Sequence, residues 1–209
     1  RRNIARHYDL GNDLYRLFLD ETMMYSCAEF AGPGDTDLRA AQERKLEGIC
    51  RRLEIGAQHH VLEIGSGWGG FALHAAATRG CRVTTLTLSR EQQALVRERV
   101  AAAGLADRIE VQLCDYREHA GAYDRVVSIE MFEAVGFAFY RAYFEAVERL
   151  LRPGGRMFLQ TITVPDRRFD AYRRGFDFIR KHVFPGGLLA SLHEILGTLR
   201  HHTTLEVEW

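Results

Sequence analysis

The apolar positions of this chain change period repeatedly, and each change marks an element. Leu38, Ala41, Leu46, Ile49, Cys50 and Leu53 recur at helical spacing and predict an amphipathic helix over Leu38–Leu53. Val61, Leu62 and Ile64 then make a short apolar run, read as a buried strand with Glu63 near its end. Further strands are predicted at Cys81–Leu88, Ile109–Leu113, Tyr123–Ile129 and Arg156–Thr163. Helices fall between them. One runs over Phe71–Ala77, and a second starts at a Ser89/Gln92 capping box and continues to Ala103. A third, Phe139–Leu151, carries Tyr140, Tyr143, Phe144, Val147, Leu150 and Leu151 on one stripe and is stopped by Pro153-Gly154-Gly155. Strands alternating with helices in this way predict an α/β fold with a doubly wound, mostly parallel sheet.

The flanks read differently. In Arg1–Phe30, Leu14, Leu17 and Phe18 share a helical face, but His7, Tyr8, Asp9, Asn12 and Asp13 are too polar for a core segment. That stretch is expected to cover a site. Phe169, Tyr172, Phe176, Ile179 and Val183 recur at helical spacing and predict an inserted helix, broken by Phe184-Pro185-Gly186-Gly187. A last helix precedes a strand predicted at Thr204–Trp209. The organisation is one domain: a helical cap over 1–54, a core over 55–164, a helical insertion over 165–203 and the start of a terminal strand over 204–209.

Composition narrows the class. The 209 residues carry zero formal net charge and are 46% hydrophobic, enough for one sizeable core and no bulk attraction for nucleic acid. The charge is not uniform. Between Asp166 and His182, six basic residues face three acidic ones, a local +3 on the aromatic stripe. Such a flank suits an anionic lipid surface or an acyl-chain tunnel. Cys27, Cys50, Cys81 and Cys114 are scattered without metal-ligand spacing and read as reduced cytoplasmic thiols; no metal site is expected. No apolar run is long enough to span a bilayer. The abrupt ends at Arg1 and Trp209 suggest a piece of a longer, C-terminally extended protein.

The chemistry gathers where the predicted strands end. Gly65, Gly67, Gly69 and Gly70 crowd the turn after the first strand in a G-x-G-x-G-G spacing, with Glu63 two positions ahead. Glycines there let backbone approach a nucleotide, and this spacing with that acidic residue is the pattern of S-adenosylmethionine (SAM) methyltransferases. The second strand ends without the ribose-binding Asp or Glu of a dinucleotide fold, leaving Thr87, Leu88 and Gln92 to make those contacts. Asp115 and Tyr116, at the end of the third strand, are placed to bind and stack on an adenine. Glu130 and Glu133 follow the fourth strand in an otherwise apolar run, and Glu133 is the one expected to be buried and functional.

Together these segments resemble the cyclopropane fatty acid synthase family, which includes the mycolic acid cyclopropane synthases. The resemblance rests on HYDLGNDLY, MMYSCAEF, AAQERKLEGIC, VLEIGSGWGG, TLTLSREQ, CDYRE, SIEMFEAVG and VFPGG, in that order over nearly the whole chain. It implies a Rossmann-like class I SAM methyltransferase that transfers one carbon to the cis double bond of a phospholipid acyl chain. Bound bicarbonate would take the proton as the cyclopropane ring closes. By motif position, Cys27, Glu133 and the backbone at Ile129 would hold the bicarbonate. Tyr25, Ser26, Gly65, Gly67, Thr87, Leu88, Gln92, Tyr116 and Arg117 would contact SAM. Many relatives have L-H-T-I and F-E-H where this chain has Gln160 and Ala134. Gln donates a hydrogen bond but does not titrate near neutrality. The Gln and Ala forms resemble a subgroup that includes plant-type cyclopropane synthases and bacterial fatty acid methyltransferases making methylene-branched chains; a methylene- or methyl-branched chain is the alternative product, and a non-catalytic SAM- or lipid-binding protein is a third reading. The resemblance further implies a cytoplasmic protein at the inner membrane face, and leaves homodimer formation open.

Overall fold

The computed structural model describes residues 12–208. His7, Tyr8, Asp9 and Trp209, all used in the sequence reading, lie outside them. Short apolar runs build the centre. Strands β1 (His60–Ile64), β2 (Arg82–Thr87), β3 (Ile109–Leu113), β4 (Tyr123–Ile129) and β5 (Leu151–Gln160) pair in the order β3-β2-β1-β4-β5, every pair parallel. In the middle strand, Leu62 lies beside Thr84 of β2 and Val126 of β4. Val61–Ile64 are all buried, as a strand covered on both faces requires.

Neighbouring residues point to opposite faces, so one strand feeds two cores. Val61, Val83 and Val111 meet Leu46 and Ile49 of α2 (Leu38–Arg52), Phe71 and Ala75 of α3 (Gly70–Arg79) and Val96 of α4 (Arg90–Ala102). On the other face, Leu62, Leu86 and Val126 meet Tyr143, Phe144 and Val147 of α5 (Tyr140–Leu150), together with Ile195 of α7 (Leu192–His202). Burying each such side chain contributes roughly 1.5–3 kcal/mol. The doubly wound α/β prediction is borne out, and its physical basis is this two-sided burial.

Caps set the helix starts. Asp37 accepts the Ala40 N–H at 3.0 Å to open α2, and Ser89 accepts the Gln92 N–H at 3.2 Å to open α4. The second capping-box bond is replaced, because the Ser89 N–H donates to Thr87 Oγ1 while that hydroxyl donates to Gln92 Oε1 at 2.8 Å. Gln92 is thereby turned toward the end of β2.

Other expectations are corrected. Strand β5 stops at Gln160, because the Thr161 hydroxyl and the Ile162 N–H bond to Glu133 instead of extending the ladder. The insertion is not one helix: α6 (Asp166–Arg174) ends before Gly175, and a separate π-turn covers Ile179–Val183. Arg180 ties the broken piece together by donating to the carbonyls of Tyr172, Gly175 and Gly187. Phe169 is accordingly buried, whereas Phe176 is 80% and Phe178 71% exposed. The strand predicted from Thr204 does not form in the described residues; the Thr204 N–H and hydroxyl both bond to Glu148 at 2.6 Å.

Candidate active site

The carboxyl ends of parallel strands collect the N-termini of the helices that follow and leave a crevice above them. Here it becomes a cavity of about 1140 Å³. Its floor is the turn after β1, where Gly65 adopts φ +97°, with Thr87 at the end of β2, Leu88 and Gln92 just after it, and Asp115, Tyr116 and Arg117 beyond β3. Tyr25, Ser26 and Cys27 close one side, and Phe184 and Leu188 another. Every residue predicted for the site lines this cavity except Gln160, which reaches it through Cys27 and Glu130.

The N-terminal segment is held over the glycine turn by direct approach. A Cβ on Gly70 would come within 2.5 Å of Met24 Sδ and 2.8 Å of the Thr22 carbonyl oxygen, so only glycine admits that path. Trp68, 1% exposed, packs on Tyr15 of α1 (Asn12–Arg16) with ring centres 4.4 Å apart. Arg99 donates to the carbonyls of Trp68 and Thr22, joining turn and segment from below.

Glu63 is fully buried and receives the Thr85 hydroxyl at 2.5 Å. Burial pushes its carboxyl up to about 8, with the Thr85 bond opposing. Asp115 is engaged by its neighbour: Arg117 donates to both carboxylate oxygens, at 2.9 and 2.6 Å. Tyr116 packs edge-on to Tyr143 at 5.3 Å.

The two glutamates after β4 separate sharply. Glu133 Oε1 accepts from the Thr161 hydroxyl at 2.8 Å and the Ile162 N–H at 2.6 Å, while its buried Oε2 has no hydrogen-bond partner among the described residues. Burial raises its pKa, and the nearby Glu130 adds to the rise. Glu130 collects Cys27 and Gln160, two of the groups expected around bicarbonate. Its Oε1 accepts from the Cys27 N–H at 2.8 Å and from the Gln160 amide at 2.9 Å, and that amide also lies 3.3 Å from Cys27 Sγ. Glu130 sits at φ +47°, a strained region for a residue with a side chain. Ile129, at the end of β4 opposite Gln160, lines the cavity, but the amide that meets Glu133 is that of Ile162.

Bicarbonate needs donors aimed at it. The Cys27 N–H and the Gln160 amide already donate to Glu130 and so are not turned toward a separate anion. A further anion there would stand beside a carboxylate. This donor set does not fit bicarbonate. The SAM contacts do fit: backbone exposed by glycines, hydroxyls after β2 and a polar rim after β3 converge on one cavity.

This sheet, with its glycine turn and acidic β1 residue opening on one cavity, is the class I SAM-dependent methyltransferase fold. The chain belongs to the mycolic acid cyclopropane synthetase family, whose model matches residues 1–208. It is 50% identical to a tuberculostearic acid methyltransferase of Mycobacterium tuberculosis over 99% of this chain and 50% of that protein. It is 40% identical to the cyclopropane-fatty-acyl-phospholipid synthase of Escherichia coli over 97% of this chain and 50% of that protein. The solved mycolic acid cyclopropane synthase CmaA1, complexed with SAH and CTAB, superposes with a TM-score of 0.87 at 33% identity, covering 96% of this chain and 73% of that one. The chain spans about half the length of the curated relatives it matches.

Sequence reasoning passed over Gln42, Lys45 and Ile162, and set Glu130 aside in favour of Glu133. Lys45 donates to Ser26 Oγ at 2.6 Å and Gln42 to the Ser26 carbonyl at 2.9 Å. The signal was present: both are polar residues on the apolar face of the helix predicted over Leu38–Leu53.

Proposed function

We propose that the full-length protein methylates the cis double bond of an unsaturated phospholipid acyl chain and that Glu130 accepts the proton released. Bound SAM supplies an electrophilic methyl carbon. The π pair of the alkene forms the new C–C bond as the methyl–sulfur bond breaks, leaving a cation on the chain. Loss of a proton to Glu130 quenches that cation. The observation carrying this reading is the convergence of the Cys27 N–H and the Gln160 amide on Glu130 at the cavity wall. Those bonds hold an acceptor in place without blocking its second oxygen. Aromatic and apolar lining, including Tyr25, Met131, Phe139 and Phe184, surrounds the reacting chain without offering an anionic nucleophile to the cation.

A methylene-branched product is the first reading, supported by the 50% identity to a tuberculostearic acid methyltransferase. Ring closure is the second, supported by the 40% identity to a cyclopropane synthase. Membrane contact is part of the proposal. The exposed Phe176 and Phe178 stand among Arg173, Arg174 and Lys181, which suits an anionic bilayer surface.

The test is incubation of full-length protein with SAM and oleoyl phospholipid vesicles, followed by NMR of the released fatty acids. The two products have equal mass, so NMR decides: exocyclic methylene signals support the first reading and ring protons the second. With Glu130→Gln, turnover should fall by ~10²-fold or more while SAM binding persists. A variant of wild-type rate refutes the role of Glu130, and a wild type without product refutes the function.

A further inference from the structure

Buried ammonium groups are costly unless they hold something in place. Lys45 is 5% exposed on the inner face of α2 and lies outside the cavity lining. Its ammonium donates to Ser26 Oγ at 2.6 Å and to the Cys27 carbonyl at 3.0 Å. One turn earlier, Gln42 donates to the carbonyls of Ser26 at 2.9 Å and Met24 at 3.4 Å. The stretch from Met24 to Cys27 therefore hangs from two side chains of a single helix. Its far end carries the amide that reaches Glu130. A hydrophobic residue at position 45 would pack in the same place without desolvating a charge.

We propose that Lys45 is a positioning residue for the proton-removal step, fixing Cys27 and, through the Cys27 amide, the Glu130 carboxylate. The proposal rests on the acyl-methylation reading above. The groups facing Lys45 are Asp20 from the segment before Met24, the Cys27 thiol and Glu130 from the turn after β4. Burial lowers the ammonium to about 8, with those three groups opposing the shift. Deprotonation leaves two N–H groups for the two bonds to Ser26 and Cys27, now uncharged and weaker, and removes the charge that faces Glu130. Positioning should therefore weaken as pH rises through about 8.

The experiment compares full-length wild type, Lys45→Met and Gln42→Leu. Amide exchange of the peptide covering Met24–Cys27 is followed by mass spectrometry, and kcat and KM are measured from about pH 6.5 to 9. In Lys45→Met, exchange at this peptide should accelerate ~10-fold and kcat fall ~10-fold. In a Glu63→Gln background, which removes the other group held near 8, the rate should decline above about pH 8; that limb should vanish in Lys45→Met and survive in Gln42→Leu, which keeps the ammonium. Unchanged exchange, unchanged kcat or a persistent limb in Lys45→Met overturns the proposal. Should Lys45→Met not fold, Lys45→Gln carries the same comparison. A wild type that makes no product sinks the methylation reading, while the exchange data still decide whether Lys45 anchors the segment.

Discussion

Replacing Glu63 by Gln preserves shape and removes one titration, which makes it a clean probe of the cavity floor. The Thr85 hydroxyl that donates to Glu63 Oε2 can donate equally to an amide oxygen. Full burial raises the wild-type carboxyl from the ordinary glutamate value of about 4.5 to about 8. A group raised on folding contributes stability that is complete below its unfolded pKa and is lost as pH rises through its folded one. Between those values the unfolded chain releases a proton the folded one keeps, at about 1.4 kcal/mol per pH unit. From pH 5 to pH 8 the loss approaches about 4 kcal/mol for this single group. Urea unfolding at pH 5, 6.5 and 8 should show wild type losing stability relative to Glu63→Gln, with the variant ahead at pH 8. Titrations of other residues cancel in that difference. Parallel curves for the two proteins across the range would refute the claim that Glu63 is held protonated by burial.

Two further perturbations test how the cavity walls are hung. Gly70→Ala drives a methyl into Met24 and the Thr22 carbonyl, so it should cost ~1–3 kcal/mol in unfolding and raise the SAM dissociation constant measured by calorimetry. Arg180→Ala frees the carbonyls of Tyr172, Gly175 and Gly187. Limited proteolysis should then cut within 175–187 several-fold faster, while the main unfolding transition of the sheet stays within ~1 kcal/mol of wild type.

Much of the fold was legible because burial imposes a period. Val61 and Leu62 feed opposite cores, and Tyr143, Phe144 and Val147 form the stripe that packs on β4. The cavity residues were legible for a related reason: parallel strands put their carboxyl ends on one side, so residues following each strand must converge there. The breaks were harder. Nothing in the spacing of Phe169, Tyr172 and Phe176 announces that Gly175 ends the helix, because Arg180 makes the alternative conformation favourable only once three carbonyls face it.

The sequence by itself determined the parallel α/β sheet, the glycine turn beside Glu63 and the gathering of two carboxylates after β4. It did so through local rules of apolar period, backbone sterics and strand direction. Only the tertiary structure decided that Cys27 and Gln160 turn to Glu130, that Glu133 is taken by Thr161 and Ile162, and that Lys45 points at the loop carrying Cys27. Cys27 and Glu130 are 103 positions apart. A periodic pattern tells which side of an element is buried, but not which distant group it is buried against.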